Sequence, residues 1–213
     1  MAEQETSQTL DRGLAVLDLL AEPHHAGGLS VTELARRLSV GRTVIYRLVA
    51  TLAARGYVIR TPDGMVRLGM GVSRLSAAVR PMVRAAARPI LRELAEATGA
   101  TAHLTLAEGE EALALVVVEP SWTDFHVAYR VGSRHRFDQG AAGKAILAGR
   151  AGSRDPVTSD GELQAGAHGL AVPVPGVPGL EASVGVVALG TGDTNRHAAQ
   201  VTRAARQVAA ALS

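Results

Sequence analysis

GLSVTELARRLSVGRTVIYRLVATLAARGYVIRTPDGMVRLG, from Gly28 to Gly69, is the stretch from which the first part of the fold is read. Ser30-Val31-Thr32-Glu33 has the form of a capping box, in which a hydroxyl and a carboxylate satisfy the free amides at a helix start. Leu34, Ala35 and Leu38 supply the buried stripe of a short second helix. After a tight Ser39-Val40-Gly41 turn, Ile45, Leu48, Val49 and Leu52 mark the buried face of a third helix, and Gly56 stops it. The opposite face carries Arg42, Thr43, Tyr46, Arg47 and Ala50. Two helices joined by a short turn containing glycine form a helix-turn-helix, whose second member lays its N-terminal residues in the DNA major groove. Tyr57–Arg60, the turn Thr61-Pro62-Asp63-Gly64 and Met65–Leu68 then read as a two-stranded wing.

Upstream, Leu10, Leu14, Leu17 and Leu20 recur at helical spacing and predict a first helix with these residues inward, ending before Pro23 and Gly27-Gly28. The charge pattern agrees with a nucleic-acid role for the segment. The net charge is only +2, yet Arg36, Arg37, Arg42, Arg47, Arg55 and Arg60 lie between Glu33 and Asp63 with no acidic residue among them. The DNA-facing set is Ser30, Thr32, Arg42, Thr43, Tyr46 and Arg47, with Arg60 and Arg67 of the wing along the flanking phosphates. Arginine binds guanine as a bidentate fork, and Thr43 or Tyr46 can donate to phosphate or a base edge. A trihelical protein-interaction module is the competing reading of the helices alone.

Downstream, Gly69 to Ala87 reads as a linker helix interrupted near Pro81, and Pro89 as the first turn of a new helix with Ile90, Leu91, Leu94 and Ala95 inward. Strand-like runs follow at Thr101–Ala107, Ala112–Glu119 and Phe125–Val131 and suggest a meander. A helix at Ala141–Ala148, strands at Leu170–Val174 and Ala182–Leu189, and a terminal helix from about Asn195 to Leu212 complete an antiparallel sheet flanked by helices. The fold class is α+β, with a winged helix-turn-helix over 1–69, a linker helix over 70–87 and a second domain over 88–213. Gly140-Ala141-Ala142-Gly143 opens a helix with minimal side chains, so a small anion such as a carboxylate could reach its free amides. Tight helix-to-sheet packing explains the same small residues equally well.

RGLAVLDLLAE (Arg12–Glu22), the Gly28–Gly69 stretch, GAAGKAILA (Gly140–Ala148) and GELQAGAHGLAVPV (Gly161–Val174) resemble the IclR family of bacterial regulators. The resemblance implies a transcriptional repressor acting as a homodimer or dimer of dimers on a palindromic operator, with a GAF-like domain that binds a small-molecule effector. It places effector contacts at Ala141 and Ala142, on the Glu162–Gly169 segment including His168, and at Ala188 and Gly190. Two departures bear on that pocket. Only thirteen residues, 149–161, separate Ala148 from Glu162 where the family has a longer helical stretch. Positions often polar in the family are Ala188 and Gly190 here. The alternative is a ligand-independent DNA-binding dimer with a degenerate sensing domain.

Composition bounds the rest. An apolar fraction of 47% with 20% charged residues points to globular packing, and 3% aromatic residues exclude an aromatic base-stacking platform. With no cysteine there are no disulfides or thiolate ligands, and without an apolar leader or a run long enough for a bilayer the expectation is a cytoplasmic protein with no membrane role. The seven histidines show no HExxH pattern and His24-His25 reads as a solvated pair, so neither metal nor cofactor is expected. Asp124 with His126, or His168 beside Gly169, lacks any accompanying nucleophile elbow or phosphate loop, so the chain is not read as a hydrolase or deaminase.

Overall fold

The computed structural model describes residues 6–122, 129–190 and 194–213. The chain divides into two compact units, the first ending at Arg80 and the second beginning at Pro81.

In the first unit, α1 (Gln8–Ala21) leads through a 3-10 turn (Pro23–His25) to β1 (Leu29–Ser30), α2 (Val31–Arg37), α3 (Arg42–Ala54), β2 (Val58–Arg60) and β3 (Met65–Leu68). The strands form an antiparallel sheet in the order β1-β3-β2, with Leu29 opposite Val66 and Val58 opposite Leu68. β1 was not expected; two residues are too short to show alternation. Val16, Leu20, Leu29, Leu34, Ile45, Leu48, Val49, Val58 and Val66 make one core. The inward face of α1 differs from the expected leucine stripe: Gly13, Val16 and Leu20 are buried, whereas Leu10 and Leu14 are 62% and 51% exposed. Gly13 turns toward α3, where an added Cβ would lie 3.8 Å from Leu48.

The capping box forms as expected. The Glu33 amide donates to Ser30 Oγ at 3.2 Å and the Ser30 amide to Glu33 Oε2 at 2.9 Å, and these bonds from Ser30 hold the Glu33 carboxyl below its ordinary range. The following turn is built differently from the expectation. Its left-handed residue is Ser39 (φ 54°), while Gly41 (φ −59°) is the N-cap of α3. A short polar side chain tolerates that region at modest cost, so the glycine is not what makes the turn.

α4 (Gly71–Thr98) is a single 28-residue helix containing Pro81 and Pro89, not the two helices expected. Each proline removes one amide and strains one turn, but both sit at exposed positions where water can serve the freed carbonyls. The buried Val83, Ala87, Leu91, Leu94 and Ala95 hold the helix on the core of the second unit.

That unit continues with β4 (Thr101–Glu108), β5 (Glu111–Val118), β6 (Arg134–Arg136), α5 (Gly140–Arg150), β7 (Val157–Asp160), β8 (Ala167–Pro173), β9 (Ala182–Leu189) and α6 (Ala198–Leu212). The sheet is antiparallel in the order β6-β5-β4-β9-β8-β7. β9 pairs with β4, so the strands are not one continuous meander. The strand expected over Phe125–Val131 falls mostly on residues 123–128, outside the described residues, and β6 occupies the edge beside β5. Strand alternation gives the sheet two faces. Ala102, Leu104, Leu170, Val172, Val184 and Val186 join α4 and α6 in one core. The other face carries Ala171 and Gly169 against Ala141 of α5, and Ser183 Oγ donates to the Ala142 carbonyl at 2.9 Å.

Candidate functional site

Two sites emerge, one in each unit. In the first, α3 buries Ile45, Leu48 and Val49 and leaves Arg42, Thr43, Tyr46 and Arg47 in solvent. Thr32 on α2 is also exposed. Ser30 is half-buried, and its hydroxyl both accepts from the Glu33 amide and donates to the Glu33 carboxylate at 2.8 Å, so it is engaged in the cap. Among the described residues Arg42 and Arg47 have no ion-pair partner. A helix presenting an unpaired arginine face matches the width and donor code of a DNA major groove.

The wing arginines are exposed but held. The Arg60 guanidinium stacks 4.2 Å over the Tyr46 ring and donates to the Tyr46 carbonyl at 3.4 Å, tying β2 to the middle of α3. Arg67 Nε donates to the Gly27 carbonyl at 2.8 Å. Asp63, bonded by the Thr61 hydroxyl across the hairpin turn, is held below the ordinary carboxylate range. The expectation for Arg60 as a simple phosphate contact thus missed its second partner, which 14 residues of sequence separation conceal.

The second site is a cavity of about 240 Å³ on the α5 face of the sheet, lined by the polar His103, Tyr129, His135, Ser159, Gln164 and Arg134 and by the apolar Ala141, Leu163, Ala167 and Val187. Of the residues expected to contact an effector, Ala141, Ala142 and Gly169 line it. Glu162 sits alongside, at the start of α5. His168 lies beside Asp160, Nδ1 to Oδ1 3.2 Å, and Ala188, opposite His168 in the ladder, packs toward the core on the other face. Gly190 is also absent from the lining. Where alternation puts Gly169 and Val187 on the cavity face, it puts their neighbours His168 and Ala188 behind it.

Two amides at the start of α5 that the sequence suggested were free are taken. The Gly140 amide donates to Glu162 Oε2 at 2.9 Å, the Ala141 amide donates to Ser159 Oγ at 2.9 Å, and Lys144 Nζ reaches Glu162 Oε1 at 2.5 Å. The Lys144 and Gly140 bonds hold the Glu162 carboxyl below its ordinary range. Gly143 is required here, since a Cβ would come within 2.8 Å of the Phe137 backbone.

The polar wall forms a chain whose hydrogens are fixed from one end. His135 Nδ1 lies 3.0 Å from the Arg136 carbonyl, which can only accept, so this nitrogen carries a proton, and in the neutral ring Nε2 accepts from Tyr129 OH at 3.3 Å. Tyr129 then accepts from Thr105 Oγ1 at 3.5 Å, and Thr105 from His103 Nδ1 at 3.1 Å. Burial, and secondarily the neighbouring His135, pushes the His103 imidazole down to about 3, so it is uncharged at neutral pH. Burial raises the Tyr129 phenol. None of His103, Thr105, Tyr129, His135 and Ser159 was singled out from the sequence. The available signal was the alternation of Thr101, His103 and Thr105 with Ala102, Leu104 and Leu106, a polar face on a buried strand.

Residues 9–62 match the model of the IclR helix-turn-helix domain, and residues 75–155 that of the bacterial transcriptional regulator IclR C-terminal domain. Among curated proteins, the HTH-type transcriptional regulator BhcR of Paracoccus denitrificans is 35% identical over 149 residues, covering 66% of this chain and 50% of the relative. XynR of Escherichia coli is 32% identical over 145 residues, covering 66% and 56%, and the repressor AllR of the same species is 29% identical over 147, covering 68% and 53%. The chain thus matches about half the length of these relatives. In fold it is similar to the IclR protein of Thermotoga maritima (TM-score 0.55, 20% identity, covering 96% of this chain and 98% of the other). It is equally similar to an IclR homolog of Microbacterium hydrocarbonoxydans complexed with 4-hydroxybenzoate (TM-score 0.55, 20% identity, covering 96% and 99%).

Proposed function

Because the chain belongs to the IclR family of bacterial transcriptional regulators, we propose that it is a sequence-specific DNA-binding repressor whose hold on its operator is set by a small molecule in the second unit's cavity. The observation that carries the reading is the exposed face of α3, where Arg42, Thr43, Tyr46 and Arg47 stand clear of the core. Arg47 reads a base edge, Arg42 and Thr43 meet the groove at the helix start, and Arg60 adds charge beside Tyr46. The cavity favours ligand control over a degenerate second domain. Its lining combines a few polar groups with apolar side chains, the composition of a small-molecule site.

The regulator acts as a homodimer on a palindromic operator. Supporting this, the exposed Leu10 and Leu14 of α1 join Leu17, Leu52 and Leu75 in lining an apolar groove of about 550 Å³, and a paired helix-turn-helix reads half-sites one helical turn, about 34 Å, apart. Fluorescence anisotropy with DNA from upstream of the protein's own gene, against scrambled DNA and over several salt concentrations, tests the DNA reading. Specific binding with a steep salt dependence is expected. Failure to prefer any sequence, even after selection from a random pool, refutes it.

A further inference from the structure

The cavity face shows which charge it will accept. Of the groups that could neutralise an anion there, the two cations, Lys144 and Arg134, already have partners. Glu162 occupies the start of α5, on the Gly140 amide and Lys144, the only lysine in the chain. Ser159 Oγ takes the Ala141 amide. Arg134, in the cavity lining, is paired with Glu108 and with Glu111, at 3.1 Å for the latter. The two histidines on the wall are tied into a chain of hydrogen bonds with Thr105, Tyr129 and the Arg136 carbonyl.

On this basis, and resting on the reading of the cavity as the regulator's ligand site, we propose that it takes a small uncharged molecule, the place of a ligand carboxylate being filled by Glu162. Among the described lining residues no cation lacks a partner, so a bound carboxylate would be stripped of water without a countercharge, which is far costlier than burying a hydrogen-bonded neutral group. The wall that remains specifies the ligand further. Because Ser159 Oγ accepts from a backbone amide, its own hydrogen is available to a ligand oxygen. Gln164 offers an amide with both donor and acceptor, and Leu163, Ala167 and Val187 present an apolar surface. The volume equals that of roughly eight waters at about 30 Å³ each, room for a single substituted ring. The occupant is a ring-sized amide, ketone, lactone or phenol with one acceptor oxygen directed at Ser159. Glu162, Leu163 and Gln164 sit on one turn bracketed by Gly161 (φ 63°) and Gly166 (φ 74°), so the residue that fills the anion position also positions two residues of the lining.

The test titrates the full-length protein with matched isosteres, benzamide against benzoate and phenyl ketones against phenylglyoxylates, within a fragment library built of such neutral and carboxylate pairs. Thermal shift and calorimetry are the readouts. Wild type is expected to bind the neutral members at least tenfold more tightly than their carboxylate partners. In Glu162→Gln, which keeps an acceptor for the Gly140 amide but frees the Lys144 charge, the preference should shrink at least fivefold. Ser159→Ala should weaken the neutral ligands about tenfold while leaving the charge preference in place, and circular dichroism would verify the fold of both variants. Carboxylates binding wild type as tightly as their neutral isosteres, or a preference untouched by Glu162→Gln, overturns the proposal. If no member of either class binds, the reading of the cavity as a ligand site fails instead.

Discussion

The exposed face of α3 and the polar wall of the cavity hold similar numbers of hydrogen-bonding side chains, but in opposite states. On α3, Arg42 and Arg47 have no ion-pair partner among the described residues, so their donors are available to whatever docks. In the cavity, His103, Thr105, Tyr129 and His135 bond to one another and finally to the Arg136 carbonyl. The difference teaches how each site discriminates. An open cationic face gains affinity from charge and selectivity from a few forked contacts, whereas an internally satisfied wall gains little from adding hydrogen bonds and selects by shape and by the charge it refuses.

Five variants would break or sharpen that contrast. The largest effect is expected from acid. Between its unfolded value of 6.5 and its folded value of about 3, His103 binds a proton in the unfolded chain and not in the folded one. Stability contributed by the neutral ring is therefore present above 6.5 and is lost on acidification, at up to about 1.4 kcal/mol per pH unit across that window. Urea unfolding of wild type and His103→Gln over pH 4 to 7 should show a shallower slope in the variant; identical slopes would remove the buried imidazole from the account. Gly143→Ala comes next. Its methyl meets backbone at Phe137, so a loss of about 2–3 kcal/mol is expected, and calorimetry should place it in the second unit's transition alone.

On the open face, Arg47→Ala should cost about 1–3 kcal/mol of discrimination between operator and scrambled DNA while the far-ultraviolet spectrum is unchanged. Retained discrimination would remove Arg47 from the groove. Arg60→Ala should weaken both DNAs and lower the salt slope by about one. Because Arg60 stacks on Tyr46, Tyr46→Ala should leave the salt slope intact while lowering operator preference, which separates charge from positioning.

The first unit was the more legible because its signals are local. The capping box, the buried Ile45, Leu48 and Val49, and the Pro-Asp-Gly hairpin each lie within a few residues and were read correctly. What the sequence concealed depended on neighbours or on context: the exposure of Leu10 and Leu14, the left-handed Ser39 in place of a glycine, and the continuity of α4 through two prolines whose surroundings tolerate them. In the second unit β4, β5, β9 and α5 were legible from runs of apolar residues and flanking glycines, but β6 and β7 are short edge strands with three and four residues. The cavity was hardest. Ala141 meets Ser159 across 18 residues and Thr105 meets Tyr129 across 24, and nothing in periodicity pairs them. The small residues of Gly140–Gly143 suggested an open anion site, and only the fold reveals that Glu162 fills it.

The Arg136 carbonyl has a reach beyond its own strand. A carbonyl cannot donate, so it sets one tautomer at His135, and that choice passes through Tyr129 and Thr105 to His103 without a branch. The wall therefore has polarity as well as shape, with its donors and acceptors in a fixed sequence.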